Sequence, residues 1–372
     1  MPTSSICYPN PEIMDPGRLE LHLSWTDGRI SGLSVVNSRP QATRVLRGMP
    51  VAQAVALIPQ FFALCGQAQG AAARAARAAA ERGNCASGHD AVVAAEAAQE
   101  HLWRLLSDWP RELGLAPQDA AFVRWRRLLS ADPSALVRQD FRDFLDQGLL
   151  GMTPQAWLGL SRTDEFERWW RDSSALAARL CRALAAGDEC VDGSPPEAQL
   201  PVLDANAAAS DWPTLSAEFA LRPQWHGRPR ETGAYARRHG DPLLAVLAAR
   251  PLLVRLVARM QELAALTLGD FAMPLPGAVM ALPLENGRGR VLAETARGLL
   301  MHELTLEGGR VADYVIVAPT EWNFHPEGAL PALLVGGVCA TEAQATNLAR
   351  RAVLALDPCV AHEITIERPV AP

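Results

Sequence analysis

Lysine is absent from the 372 residues, so arginine supplies all 35 formal cations against 41 aspartates and glutamates, giving a net charge of −6. Binding a phosphate backbone or an anionic membrane surface calls for clustered cations. No such cluster stands out, and neither nucleic acid nor membrane is an expected partner. Seven cysteines (Cys7, Cys65, Cys85, Cys181, Cys190, Cys339 and Cys359) form no CxxC pair. An odd number scattered along a long chain does not describe a disulfide scaffold. They read as free thiols. Long apolar runs are also missing: the most apolar stretch, Val51 to Leu64, is interrupted by Gln53, Pro59 and Gln60 and falls short of the ~20 residues of a membrane span. Met1 to Asp15 lacks a cationic stretch followed by an apolar one, so no secretory signal is expected and the cytoplasm is the expected location. No internal repeat is evident.

What is present describes a folded chain with ample interior, 49% hydrophobic and 20% charged. Arg18 to Val36 alternates apolar and polar residues around Thr26-Asp27-Gly28-Arg29, which predicts an antiparallel hairpin. Helical spacing predicts two long helices, Pro50 to Glu81 and His89 to Leu106, then helices near Pro117–Leu129, Pro133–Gln147, Thr163–Trp170 and Ser174–Ala186. Between Gly187 and Pro213 periodicity is lost, and Gln224 to Gly240 is rich in arginine and glycine, which reads as an irregular connection. A helix from Pro242 to Leu266 leads to a second hairpin, Gly298–Leu306 with Val311–Ala318, and a closing helix, Thr341 to Leu356. The fold class is α+β: a helix-rich core with an N-terminal β-hairpin and a C-terminal strand region. One integrated domain over 1–372 is expected, with a hairpin region at 1–48, a helical core at 49–186, the connection at 187–240, and a helix plus strand region at 241–372.

Four segments are more specific. They are Asp15-Pro16-Gly17-Arg18-Leu19-Glu20; Arg47-Gly48-Met49 followed by Cys65-Gly66-Gln67-Ala68; Glu294-Thr295-Ala296-Arg297-Gly298 with Pro319-Thr320-Glu321-Trp322-Asn323; and Asp357-Pro358-Cys359-Val360-Ala361-His362. In this order they resemble the signature blocks of nickel-iron hydrogenase large subunits: a DP…RIEGH strand, RGxE, CGxC, APRG, PTTWN and a terminal DPCxxCxxH. The agreement covers residues 15–70 and 290–362. The second cysteine of each pair, which bridges nickel and iron in those enzymes, is here Ala68 or His362, the carboxylate of RGxE is gone, and Thr365 stands at the later histidine. Two metals sharing two bridging sulfurs cannot be assembled without those sulfurs, so hydrogen turnover is not expected, nor is nickel.

With one cysteine at each end and the PTEWNFHPEG block, the chain resembles the HupK/HoxV type of hydrogenase expression and formation protein, an accessory paralogue of the large subunit. That resemblance implies a trimmed large-subunit fold and a non-catalytic scaffold that holds an Fe(CN)2(CO) unit before it reaches the apo large subunit. It also implies two partners, a HypC-type chaperone and the large-subunit precursor. On this reading Cys65 and Cys359 hold iron, and His362 is a third ligand, a proton donor beside it, or a polar residue at a strand start. Arg297 faces cyanide, Pro319 and Thr320 form the loop on the other cyanide, and Asp357 pairs with Arg297. The two sulfurs, from opposite ends of the chain, are expected to meet in one cavity.

Other readings stay open. Cys65 can be an inert buried helix residue, and Arg297 a strand-end surface residue. Glu20 can match the RIEGH carboxylate or form a hairpin salt bridge. Cys359, His362 and Asp357 have the residue types of a cysteine-dependent hydrolase or transferase, although no glycine-rich oxyanion turn accompanies them. A metal-free structural paralogue is a third possibility. The alanine- and arginine-rich face around Ala71 to Ala80 reads as a solvated helix face or a docking surface. Trp322, Asn323, His325 and Pro326 read as a rigid loop beneath the site, and His302 as a residue hydrogen-bonded within the second hairpin.

Overall fold

A computed structural model describes residues 17–40, 42–62, 64–83, 88–187, 199–202, 212, 215–269 and 275–367. The predicted first hairpin forms as β1 (Arg18–Thr26) and β2 (Arg29–Asn37). Its two-residue turn needs positive φ at both positions, and Asp27 (51°) and Gly28 (75°) supply it. Leu19, Leu21 and Leu23 alternate onto the inner face and are fully buried. The third strand of this sheet, β8 (Ala361–Glu367), begins beside His362 as the strand-start reading expects, and pairs parallel to β1, with Leu19 opposite His362, Leu21 opposite Ile364 and Leu23 opposite Ile366. The two ends of the described chain therefore share one sheet, and Cys359 lies two residues before its strand β8.

The second sheet is an antiparallel meander of β3 (Gly88–His89), β4 (Ala278–Leu284), β5 (Arg288–Thr295), β6 (Gly298–Glu307) and β7 (Arg310–Val317). The expected pair β6–β7 is there, and β4 and β5 extend it. The predicted helix Pro50–Glu81 is instead two, α1 (Val51–Leu57) and α2 (Gly66–Ala80), separated by a tight turn at Ile58–Phe61. Pro59 explains the break, since it has no N–H to continue the ladder. The Ala71–Ala80 stretch is divided: Arg74 is exposed and Arg77 half-buried, as a solvated face expects, while Ala71, Ala72, Ala73, Ala76, Ala79 and Ala80 are buried, most of them on the second sheet. The approach is so close that a Cβ at Gly289 of β5 would lie 2.2 Å from the Ala76 carbonyl oxygen. Only alanines on one element and glycine on the other allow it.

Helix α3 (Ala91–Trp103) starts at Asp90, whose carboxylate caps the Val92 and Val93 N–H groups, and widens into one π turn at Arg104–Asp108. Shorter helices at Asp119–Ala131, Gln139–Phe144, Thr163–Asp172 and Leu176–Ala185 fall near the predicted positions. The stretch expected as irregular, 224–240, contains a helical turn at Ala234–Arg238. Residues 188–198, most of 203–214, and the motif residues Asp15 and Pro16 lie outside the described residues. The predicted helix Pro242–Leu266 is also two, Pro242–Leu247 and α4 (Pro251–Leu268). Residues 251–267 of α4 are all buried, with Arg255, Arg259 and Glu262 among them. A helix apolar all round with charges inside must pair those charges within the protein. Two further helices frame the site: α5 (Pro319–Asn323) and α6 (Glu342–Leu356), the latter started by a Thr341–Gln344 capping box. Among the described residues no helix is long and apolar enough to cross a membrane.

Candidate functional site

Cys65 is not inside a helix, as expected from the sequence, but at the N-cap of α2, and it is only partly buried. The first N–H groups of any helix lack internal partners. Here Glu96 of α3 supplies them, its two oxygens accepting from Gln67 N–H (2.9 Å) and Ala68 N–H (3.0 Å). Burial, only partly offset by those bonds, raises Glu96 to about 7. Gln69, one turn on, donates its side-chain N–H to Cys65 Sγ at 3.8 Å.

Cys359 is set by the end of α6. Asp357 closes that helix in the left-handed conformation (φ 56°), and Pro358 prevents its continuation. The Cys359 N–H donates to Thr320 Oγ1 (3.3 Å), and that hydroxyl also lies 3.1 Å from Cys359 Sγ. Thr320 itself is buried in the first turn of α5, which Pro319 begins. Burial and then the charge of the neighbouring Cys359 push the Cys65 thiol well above the ordinary thiol range. A groove of about 510 Å³, lined by Leu64, Trp103, Arg104, Cys359, Ala361 and His362 among others, opens onto Cys359.

Arg297 stands at the β5–β6 turn, 5% exposed. Its Nε lies 3.3 Å from Asp357 Oδ1, and its Nη2 forms an ion pair with Glu100. Burial opposes its charge, but Asp357, Glu100 and the two cysteines more than compensate and hold it above the ordinary value. Neither Nε nor Nη2 makes a well-directed hydrogen bond within the protein. Buried guanidinium donors are rarely left so, and these are suited to an anionic acceptor such as a cyanide nitrogen. Asp357 is gripped by more than Arg297. Arg104 Nε donates to Oδ1 at 2.7 Å and Arg259 Nη1 to Oδ2 at 2.9 Å. Burial alone would raise this carboxyl; the three guanidiniums hold it far below the usual carboxylate range.

Sequence reasoning missed several members of this assembly. Arg39, just past β2, is almost buried, ion-paired to Glu321 at 2.7 Å. Burial again opposes its charge, and Glu321, Cys359 and Cys65 outweigh it, so a second guanidinium shares the thiol environment. Glu96, Glu100, Arg104 and Arg259 were also missed. Each sits on a helix whose periodicity says only that it is amphipathic or buried, and the partners that Glu96, Arg104 and Arg259 find in the site lie 28 to 253 positions away. No local spacing could have announced them.

His362 is exposed at the rim of the groove, and the packing around its ring together with the Arg104 charge lowers its affinity for a proton. Among the described residues no group of three or more histidine, cysteine, aspartate or glutamate side chains converges as a metal cage. Cys181 and Cys339 are buried; Cys7, Cys85 and Cys190 lie outside the described residues. Asn323 of α5 binds the Leu356 and Arg297 carbonyl oxygens and accepts the Thr232 N–H; of the expected loop, Trp322 and Asn323 belong to this short helix and His325 and Pro326 follow it. Glu20 lies on the outer face of the first sheet, 3.9 Å from Arg18 and 4.0 Å from His22, as a surface ion pair.

Comparison with known proteins agrees with this architecture. The nickel-dependent hydrogenase family matches residues 246–364. Among solved structures, the Ni-Fe-Se hydrogenase of Desulfovibrio vulgaris Hildenborough superimposes with a TM-score of 0.53 at 16% identity, over 91% of this chain and 95% of that one. That of Desulfomicrobium baculatum gives 0.52 at 14% identity, with the same coverage of both chains. The fold is thus that of the hydrogenase large subunit, α+β as expected. At the sequence level, the hydrogenase expression/formation protein HoxV of Cupriavidus necator is 33% identical, over 92% of this chain and 94% of its own length. HupK of Azotobacter vinelandii is 33% identical over 94% of this chain and 98% of its own, and HupK of Rhizobium leguminosarum bv. viciae 32% over 95% and 98%. With its fold, its motif order and near full-length similarity at this level, the chain belongs to the HoxV/HupK family of hydrogenase expression/formation proteins and has a role in hydrogenase maturation.

Proposed function

We propose that the chain is a carrier: it holds an Fe(CN)2(CO) fragment between Cys65 and Cys359 and passes it to the apo large subunit of a hydrogenase. The observation that supports this most is the pairing of two thiols from opposite ends of the sequence beside Arg297, Thr320 and Arg39, with no third ligand cluster among the described residues. Soft, low-spin iron bearing its own diatomic ligands needs only a few sulfur donors from protein. Two thiolates grip such cargo without the four-sulfur cage that would retain it. The Arg297 guanidinium fits one cyanide nitrogen, and the Thr320 hydroxyl the other. His362 at the groove rim would ligate, or take a proton, as cargo enters. A HypC-type chaperone is the proposed donor and the large-subunit precursor the proposed acceptor.

The hydrolase reading has a specific obstacle. Asp357 is held by Arg104, Arg259 and Arg297 and is not available to orient His362. The carrier is tested by infrared spectroscopy of protein purified without oxygen after co-production with the maturation machinery. Cyanide and carbonyl stretching bands are expected, and they are expected to vanish in Cys65→Ala and in Cys359→Ala. A band-free wild type would instead leave a metal-free structural paralogue, and thiol-dependent turnover would restore the hydrolase.

A further inference from the structure

A line of three buried side chains runs through the interior and ends on Cys65. The Tyr314 hydroxyl lies 2.8 Å from His302 Nδ1, His302 Nε2 lies 2.9 Å from Gln69 Oε1, and Gln69 Nε2 lies 3.8 Å from Cys65 Sγ. Tyr314 comes from β7, His302 from β6 and Gln69 from α2, and none is more than 3% exposed. The direction of every bond is dictated. An amide oxygen only accepts, so the proton of the imidazole is on Nε2. Burial keeps the ring neutral, so Nδ1 accepts from the tyrosine O–H. With its oxygen committed to His302, the Gln69 amide has its NH2 group turned to sulfur. Three donors therefore point one way, from the sheet toward Cys65.

We propose that Gln69, His302 and Tyr314 are positioning residues of Cys65: they fix its sulfur at the N-terminus of α2 and supply one hydrogen bond to it when it ligates iron. The proposal deepens the carrier reading and rests on it. A donor on a ligating sulfur withdraws electron density, so the iron donates less into its carbonyl and the carbonyl stretch rises. Groups behind a metal ligand orient it and tune the metal in this way. Cys359 has a different neighbour, the Thr320 hydroxyl, so the two sulfurs present unequal donors to their cargo.

Gln69→Met keeps side-chain length and volume but has no N–H. Its carbonyl band is expected at lower wavenumber than in wild type, with roughly tenfold weaker retention of iron. His302→Phe is expected to do the same by freeing the amide to turn. His302→Gln, which can still hand an N–H to Gln69 Oε1, is expected to keep both band position and occupancy. Titration of the metal-free chain with cobalt(II) gives an independent readout, the sulfur-to-metal charge-transfer band, which should move in Gln69→Met and stay in His302→Gln. Bands and occupancy unchanged in Gln69→Met overturn the positioning role while leaving the carrier intact. A wild type with no cyanide or carbonyl bands but a cobalt band that moves in Gln69→Met removes the carrier and supports the positioning of Cys65. An identical cobalt spectrum in wild type and Gln69→Met overturns the positioning role whatever the infrared result.

Discussion

At the scale of the residue, what matters is which polar groups have been taken out of water and what compensates them. His302 is the clearest case. Burial lowers it to about 3, while in an unfolded chain a histidine titrates near ~6.5. Below that value the unfolded state binds a proton that the folded state refuses. The stability contributed by keeping His302 neutral is therefore complete above about pH 6.5 and is lost as pH falls toward 3, at up to ~1.4 kcal/mol per pH unit. His302→Gln preserves the hydrogen bond to Gln69 and removes the titration. Urea midpoints measured between about pH 5 and 7 are expected to slope less in this variant than in wild type. Glu96, raised to about 7, acts with the opposite sign: its contribution is complete below the unfolded carboxylate value and is lost as pH rises toward 7. The sequence singled out His302 as a hydrogen-bonding residue of the second hairpin, and it is one. That it also reaches across to Gln69 of α2 depends on how a helix lies on a sheet, which no residue encodes locally.

At the scale of the element, the decisive event is the break between α1 and α2. A single helix from Pro50 to Glu81 would have put Cys65 on a helix face among alanines. The interruption at Pro59 makes it a helix N-cap, where backbone N–H groups and the Glu96 carboxylate are its neighbours. Pro59 was legible in the sequence as an irregularity, but hydrophobic spacing on both sides outvoted it. The strands β4 and β5 escaped notice for a related reason. β5 is buried along most of its length, so it does not show the alternation that marks a half-buried strand. Helix α2 is fixed against β5 by small residues on both sides. Gly289→Val should force α2 off the sheet, since even a Cβ would lie 2.4 Å from the Ala80 nitrogen. A loss of roughly 3 kcal/mol or more in urea unfolding is expected, the upper range for overpacking. On the proposed carrier reading, iron retention should fall as well in any such variant that still folds, because Cys65 caps the same helix.

At the scale of the molecule, the site exists because the chain closes on itself. Parallel pairing of β8 with β1 carries Cys359 back to the N-terminal half, and Asp357 locks the junction by joining α3's extension, α4 and the β5–β6 turn through Arg104, Arg259 and Arg297. A buried ion cluster is weak evidence of net stability, but removing one member strands the others. Asp357→Asn leaves three buried guanidiniums facing a neutral amide and is expected to cost about 3–5 kcal/mol, read from urea unfolding at neutral pH. In the wild type the stability contributed by the ionised Asp357 is complete above the unfolded carboxyl value, about pH 4, and is lost as pH falls below it. Near pH 3 the difference between wild type and Asp357→Asn should already be narrowing.

The sequence by itself determined the first hairpin, whose Asp27-Gly28 turn has a local steric signature; the positions of most helices, whose periodicity is local; and the family, because several motifs recur in order. It also singled out Cys65, Cys359, Arg297, Thr320 and Asp357 as candidate site residues. Only the tertiary structure decided that Asp357 binds three arginines instead of one, that Arg39 enters the site, and that Gln69 turns a donor toward sulfur. It also set His362 at a groove rim instead of in a three-residue cage. Those outcomes depend on contacts between groups tens to hundreds of residues apart. Charges and hydrogen-bond donors buried on different elements must find partners in space, and spacing along one element carries no information about which partners those will be.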